Sequence, residues 1–592
     1  MRAAESADVG TCATPCDGLA RTCRAASLND AVAPSLSLSH TLRSRPLAAA
    51  VLVLAFVVGA ALRLDQFTQQ VLIDDEWHAV HQILRHTPAQ MFVDFGFADY
   101  SIPLGILDWY EARWFGLSET AMRLPMLVCG IAALALFPLY VARRFGATVA
   151  AVFAALLAIT PLLVIYSRMA RPYAITLLLA WVAQCAFQRY CEAPARRGLA
   201  AGALYVVAAA LAVWLHPIIG PFVVAPFAWA LITLPRVPAG ERWRRFVRLL
   251  ALAVPAAVAI GALVLPPILA NPHSMANKSG VDTPNLNTLV GIWFAWLGTP
   301  SSAIVAALVV VAAAGAGAVW RTLPETRPAV LGTLLTLGAL FVARPIWIFN
   351  PIALARYLLP FAPLLLLAVA AGTVRVARAI DGATSARRAL AAIVLIAPVA
   401  LLAVQSPLRE LARHPNRQTL HLRYHFDFRP ERNPYIPYVE GIPLSSFWST
   451  LAKRDADSVT IAAAPFYFES YDWDAPRWEA IGRQPVIPGY LTGLCVDQRY
   501  GETPRDPLYR FRNAVHLADD AELAARGVGY VVWQKPYTRV VDGHAVVSGE
   551  ATAHCEAALR AKFGAPVYED DLLAAFRVKG SADAPATGHA AQ

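Results

Sequence analysis

The sequence predicts a polytopic α-helical membrane protein with a small soluble α/β domain at its C-terminal end. Three observations lead there. Only 16% of the 592 residues are charged and 57% are hydrophobic, whereas a soluble globular chain carries about 25% charged residues. The apolar residues form long blocks that recur until about residue 405, after which the chain turns polar and aromatic. The arginines are sorted, crowding into every second loop between those blocks. Length alone would suggest about four domains, but such blocks do not belong to soluble cores.

The first element is a polar tail over residues 1–45, expected to be disordered or an over-long start. Its Cys12 and Cys16 have no partner motif for zinc. The first apolar block, Leu47 to Leu64, has no charge before Arg63 and can cross a hydrocarbon core of about 30 Å. No small-residue cleavage pattern follows it, so it reads as a retained anchor rather than a signal peptide.

Spans are expected near 47–64, 122–142, 147–165, 172–188, 199–217, 219–234, 249–269, 302–320, 328–343, 357–372 and 389–405. Together they make a membrane module over 46–405. One set of connecting loops is basic: Arg143 and Arg144; Arg189, Arg196 and Arg197; Arg236 through Arg248; Arg321 and Arg327; Arg375 through Arg388. The positive-inside rule makes that set, with the N-terminal tail, cytoplasmic. An odd number of spans then puts residues 406–592 on the exoplasmic side of a plasma (inner) membrane, periplasmic or extracellular. The net charge of +10 lies mostly in these short loops, so it orients the chain and does not point to nucleic acid.

The first exoplasmic loop, about 65–120, is long and acidic. Trp77, Val80, His81 and Leu84 share one face of a helix expected from Asp75 to Arg85, and a second helix is expected from Pro103 to Trp114. Both would lie on the membrane surface. Asp74-Asp75-Glu76 opens the first of them. Such acids either cap the helix and favour its dipole, or hold a carboxylate at the surface as a general base, with room for a divalent cation.

Few cations break the sorting. Arg168 and Arg171 lie in Tyr166-Ser167-Arg168-Met169-Ala170-Arg171-Pro172-Tyr173, His216 ends the fifth span, Lys278 follows the seventh, and Arg344 and Arg356 stand on the same side near the tenth. Any one of them can snorkel to the interface. Together they put cations at the mouth of one bundle, facing a loop of carboxylates. That suits an anionic lipid headgroup, which arginine binds through bidentate hydrogen bonds.

Beyond residue 406, strand-like runs at Val459–Ala464, Tyr530–Gln534 and Leu573–Val578 alternate with helical patterns at Ala518–Arg526 and His554–Phe563, an α/β pattern. The aromatics of Phe466 to Trp473 either stack on sugar or pack a core. Cys495 and Cys555 are the two cysteines of this domain. They are free thiols or, in an oxidising compartment, a disulfide.

Four segments resemble the GT-C glycosyltransferases, in the branch of protein O-mannosyltransferases and lipid A aminoarabinose transferases. Asp75-Glu76 looks like the acidic pair of the family's first exoplasmic loop. Asp99-Tyr100-Ser101-Ile102-Pro103-Leu104 resembles its His/Asp-x-x-Pro-Leu segment, with Asp99-x-x-Ile-Pro in place of the commoner His-Pro-Pro. It is followed by Arg123-Leu124-Pro125. Arg171-Pro172-Tyr173-Ala174 and Arg356-Tyr357-Leu358-Leu359-Pro360 resemble two further elements. The similarity covers roughly 47–372.

The resemblance implies transfer of a sugar from a polyprenyl phosphate, with inversion, to a lipid, protein or polysaccharide acceptor on the exoplasmic side. Asp75 is then the base. Glu76 orients it or helps hold a cation, and Asp99 is a second acceptor-side candidate. Arg171, Tyr173, His216, Arg356 and Lys278 would bind the donor phosphate, with Arg168, Arg344 and Tyr357 as outer candidates. No cofactor beyond that cation is implied. Two rivals use the same features: a transporter or flippase of lipid-linked saccharide, and a non-catalytic membrane scaffold whose soluble domain binds glycan. The absence of an obvious repeat and the position of the charges at one surface stand against the transporter.

Overall fold

The computed structural model describes residues 45–65, 67–68, 76–95, 101–193, 195–276, 278–408, 443–465, 475–496, 515–541, 544–548 and 553–579. Asp74, Asp75, Asp99 and the aromatic run 466–474 lie outside the described residues.

The chain opens with α1 (Pro46–Leu64). Three short helices of the acidic loop follow: α2 (Glu76–Arg85), α3 (Pro88–Phe92) and α4 (Ile102–Trp114). The bundle continues through α5 (Glu119–Phe145), α6 (Ala147–Ile159), α7 (Pro161–Tyr166), α8 (Tyr173–Glu192), α9 (Ala195–Leu215), α10 (Gly220–Thr233) and α11 (Ala239–Ala270). After α12 (Pro272–Ala276) and α13 (Leu286–Leu297) come α14 (Ser302–Thr322), α15 (Thr326–Ala343), the short α16 (Pro351–Tyr357), α17 (Ala362–Ile380) and α18 (Ser385–Gln405). Among the described residues, nine helical stretches are long and apolar enough to cross a membrane. The chain is an integral membrane protein.

All eleven expected spans fall on helices. The one at 147–165 is broken into α6 and α7, because Pro161 cannot donate the N–H that would continue the ladder. Arg63 of α1 takes two carbonyls at the break, Ala158 and Leu157, and also bonds within its own helix and to Ser167. Its Nη1 donates to Gly59 at 2.8 Å and to Ala158 at 3.3 Å, its Nη2 reaches Leu157 at 3.5 Å, and its Nε donates to Ser167 Oγ at 3.3 Å. A buried guanidinium is thereby satisfied by backbone. Elsewhere the bundle closes on small residues: a Cβ at Gly315 of α14 would fall onto the Ala368 carbonyl of α17, and one at Gly372 onto Val311.

The loop helices do not rest on lipid alone. Ala79, Val80 and Ile83 of α2, with Ile102 and Leu104 of α4, are buried in one apolar cluster that includes Phe447, Trp448 and Trp478 of the soluble domain. Val80 therefore faces protein. The side chains of Trp77, His81 and Leu84 lie outside the description.

The first described helix of the C-terminal domain is α19 (Ser446–Leu451). The domain's six-stranded sheet runs β3-β2-β1-β4-β8-β7. The strands are β1 (Thr460–Ala464), β2 (Val486–Tyr490), β3 (Val515–His516), β4 (Val528–Gln534), β7 (Tyr568–Glu569) and β8 (Leu573–Arg577), with a hairpin of β5 (Tyr537–Val541) and β6 (His544–Ser548) beside it. Strands β1 to β4 pair in parallel, while β8 pairs antiparallel with β4 and β7. Helices α20 (Ala475–Gly482), α21 (Asp520–Ala525) and α22 (Cys555–Phe563) complete the domain. Cys495 and Cys555 form a disulfide, which settles the two readings of that pair.

Candidate active site

The site is built where α8 begins, where α9 ends and where α16 passes into α17. Pro172 precedes Tyr173, the first residue of α8. His216 follows α9, with its N–H bonded to Ala212 at 3.0 Å and Pro217 opening the next turn. Arg356 and Tyr357 end α16, whose start is capped by Asn350 Oδ1 accepting from the Ile352 amide at 2.9 Å. Two tryptophans fix this stretch. Trp296 Nε1 donates to the Ala355 carbonyl at 3.2 Å, and Trp181 Nε1 to that of Pro360 at 3.0 Å.

These segments bring four of the sequence candidates into one cluster. The Tyr173 ring lies 5.4 Å from His216 and 6.5 Å from Tyr357, and His216 lies 5.4 Å from Tyr357. The Arg356 guanidinium stands 5.5 Å from the Tyr173 ring and 5.3 Å from that of Tyr357, in cation–π range of both. Arg171 bears electrostatically on the same tyrosine. Tyr166, not a sequence candidate, packs edge-on against Tyr173 at 4.7 Å. The Tyr173 hydroxyl is buried and meets no hydrogen-bond partner among the described residues. Buried hydroxyls normally have one, in protein or in ordered water. The cluster offers cations and aromatic hydroxyls, the equipment for an anionic oxygen.

The remaining candidates divide. Arg168 donates to the Leu62 carbonyl at 3.0 Å and so secures the end of α1. Lys278 and Arg344 belong to a neighbouring loop in which the Gly280 N–H donates to Ala343 and that of Val281 to Arg344. Arg344 is exposed, at a left-handed φ of 49° that ends α15.

Glu76 is the best-defined acid. It is fully buried, and its carboxylate accepts from Arg123 Nε at 2.7 Å and Nη2 at 2.5 Å, a bidentate pair with another fully buried side chain. The same carboxylate accepts from the Ala170 N–H at 2.6 Å. Ala170 is the residue before Arg171, so the acidic loop is tied to the cationic segment. A second tie comes from Ser101, whose hydroxyl donates to the Leu215 carbonyl at 3.0 Å, one residue before His216. Asp75 and Asp99 lie outside the described residues, but chain connectivity keeps them one and two residues from these anchors.

The sequence assigned no role to Arg123, quoted only within the Arg123-Leu124-Pro125 segment, or to Asp108. A charge inside an apolar helix was the available signal for Arg123. Asp108 is buried on α4, and burial, then the charges of Glu111 and Glu76, hold its carboxyl well above the usual range. Burial also lifts its neighbour Glu111 from 4.5 to about 7. Among the described residues no group of three or more His, Cys, Asp or Glu side chains is arranged to hold a metal ion.

Fold and site together define an integral membrane protein that gathers arginine, histidine and tyrosine at one end of its bundle, with an acidic loop tied to them. Residues 108–260 match the family model described as dolichyl-phosphate-mannose-protein mannosyltransferase. That segment holds Arg171, Tyr173 and His216. A comparison with curated proteins gives no match. Two solved structures are similar. ArnT from Cupriavidus metallidurans bound to undecaprenyl phosphate has 15% identity and a TM-score of 0.38, over 86% of this chain and 98% of that one. The same protein in the apo state has 16% identity and a TM-score of 0.38, over 92% and 100%.

Proposed function

We propose that this protein is an inverting glycosyltransferase that moves a sugar from a polyprenyl phosphate to an acceptor at the exoplasmic membrane surface. One observation carries the reading beyond the family match: the Glu76–Arg123 pair holds the Ala170 amide. Through it the acidic loop meets the segment that bears Arg171 and Tyr173.

Inverting displacement needs a carboxylate to take the acceptor hydroxyl's proton as the new bond forms. Asp75, adjacent to the anchor, is assigned that role, with Asp99 on the acceptor side. Glu76 is a positioning residue, because its carboxylate is engaged by Arg123 and by the backbone. The leaving group is a lipid phosphate, so negative charge grows on its oxygen as the bond to the sugar breaks. In this reading Arg171 and Arg356 neutralise it, and the Tyr173 hydroxyl donates to it. His216 and Tyr357 shape the same wall. A divalent cation, where one takes part, would draw on Asp75 and on donors other than the engaged Glu76. Lipid tails reach such a site sideways from the bilayer, so a substrate can be presented without leaving the membrane.

The test is transfer by purified protein from radiolabelled polyprenyl-phosphate sugars to candidate lipid, protein and polysaccharide acceptors. Asp75→Asn should lower kcat by about a hundred- to ten-thousand-fold. Passage of intact lipid-linked sugar across a liposome without transfer would sink the proposal in favour of a flippase. Glycan binding with neither activity would leave a scaffold.

A further inference from the structure

Away from the cluster around Tyr173, helices α5, α6, α8, α9 and α17 line an open cavity of about 890 Å³. That is within the size range of small-molecule sites, roughly 300–1,000 Å³. Its walls are apolar along most of their length, with Phe137, Phe153, Leu178, Trp181 and Leu367 among them. Its charged lining groups, Arg143, Arg189 and Glu192, all come from the far ends of α5 and α8. The cavity is therefore amphipathic along its axis, dry toward the middle of the bundle and charged at its mouth.

The charge at the mouth is not balanced from within. Glu192 accepts from Gln188 at 2.5 Å. Arg143 and Arg189 are exposed and make no ion pair or side-chain hydrogen bond with any described residue. The next arginine, Arg144, stands 5.6 Å from the ring of Tyr140, itself a wall residue whose hydroxyl donates to Glu325 at 2.7 Å. Two free guanidiniums at the rim of an apolar slot are complementary to a phosphate carrying hydrocarbon chains.

Length narrows the occupant. From Leu178 to Arg189 along α8 the slot extends roughly 16 Å, at about 1.5 Å per residue. That is about half of a 30 Å hydrocarbon core, the depth of one leaflet. A glycerophospholipid of that leaflet fits this span with its headgroup at the mouth. A polyprenyl chain with its phosphate at Tyr173 would enter from the opposite end.

We propose that this cavity is a binding site for an anionic glycerophospholipid of the leaflet opposite the candidate active site. Its acyl chain occupies the slot between α5, α6, α8, α9 and α17, and its phosphate sits between Arg143 and Arg189. The site is separate from the transfer chemistry and does not depend on it.

Native mass spectrometry of the full chain, released from detergent after titration with phosphatidylglycerol, phosphatidylcholine or a polyprenyl phosphate, tests this. One phosphatidylglycerol should be retained, with at least a tenfold preference over phosphatidylcholine. Arg143→Gln with Arg189→Gln should abolish the preference. Ala200→Trp, at an exposed wall position, should block retention while leaving both arginines in place. Unfolding curves of the variants confirm that they remain folded. Equal retention of the two phospholipids, wild-type retention in both variants, or one-for-one displacement of phosphatidylglycerol by the polyprenyl phosphate would each overturn the proposal.

Discussion

Arg123→Met would leave the Glu76 carboxylate buried with its guanidinium removed. Breaking a buried pair from one side costs about 3–5 kcal/mol, whereas replacing both members by apolar groups is often close to neutral. The single variant should thus lose more stability in thermal unfolding than the double variant Glu76→Met with Arg123→Met. Recovery should be incomplete, because the Ala170 N–H also loses its acceptor. Losses that simply add would show the pair is not coupled. A second residue-scale effect follows from Glu111. Burial raises its carboxyl from 4.5 to about 7, so between those values the folded state holds a proton the unfolded chain has released. That stability is complete below about 4.5 and drains away as pH rises through 7. Glu111→Gln should flatten the fall in melting temperature over that window, and an unchanged slope would remove Glu111 as its source. Arg171, His216 and Arg356 stood out in the sequence as cations on the wrong side of a sorted chain, and Tyr173 through the Arg171-Pro172-Tyr173-Ala174 resemblance. Arg123 showed only as a charge inside an apolar helix, and its pairing was hidden because its partner lies 47 residues away in sequence.

Among the elements, helices were legible wherever apolar length alone decides them. The expected spans at 302–320 and 389–405 became α14 and α18 with ends a few residues away. Where local chemistry competes with length, the reading was coarser. Pro161 sits inside the expected span at 147–165 and breaks it, and Arg63, which looked like a flanking charge, turns out to close that break. Helix α11 starts at Ala239, well before the expected 249, because the arginines that mark the loop continue its helix outside the apolar block. Closeness of helices was not legible at all: alanine and glycine are common throughout the module, and only the fold shows which glycines face each other. Gly372 is one that does. A side chain there meets the Val311 backbone of α14, and overpacking of this kind costs about 1–3 kcal/mol or more. Gly372→Leu should lower the thermal midpoint and the yield of folded protein in detergent, while Gly338→Ala, which meets nothing, should not. Equal tolerance of both would mean that α14 and α17 are not in such close contact.

At the scale of the whole molecule, the sorted arginines and the disulfide make one claim about sidedness from independent physics. Positive-inside sorting would put the basic loops in the cytoplasm and the sheet domain across the membrane. A disulfide persists where the compartment is oxidising and is rare in the cytosol. Cys495 and Cys555 are bonded across 60 residues, in the only domain that the sorting puts outside. The pairing tethers α22 to the segment after β2, beside the core that holds Leu491, Val515 and Trp533. Closing a loop of this length stabilises a fold by about 2–4 kcal/mol. The cysteines of the membrane module, Cys129, Cys185 and Cys191, stay free, so the two classes can be counted apart. Cells grown without reductant and denatured in the presence of a maleimide should yield protein whose labelled mass rises by two further adducts when it is reduced before labelling. The same two adducts should vanish in Cys495→Ser with Cys555→Ser. That variant should unfold earlier in its soluble domain while the bundle keeps its helical signal. Full labelling without reduction would mean that the pair is reduced in the cell. The sheet domain would then face the cytosol, the charge sorting would be read upside down, and the cluster around Tyr173 would sit on the wrong side for an exoplasmic acceptor.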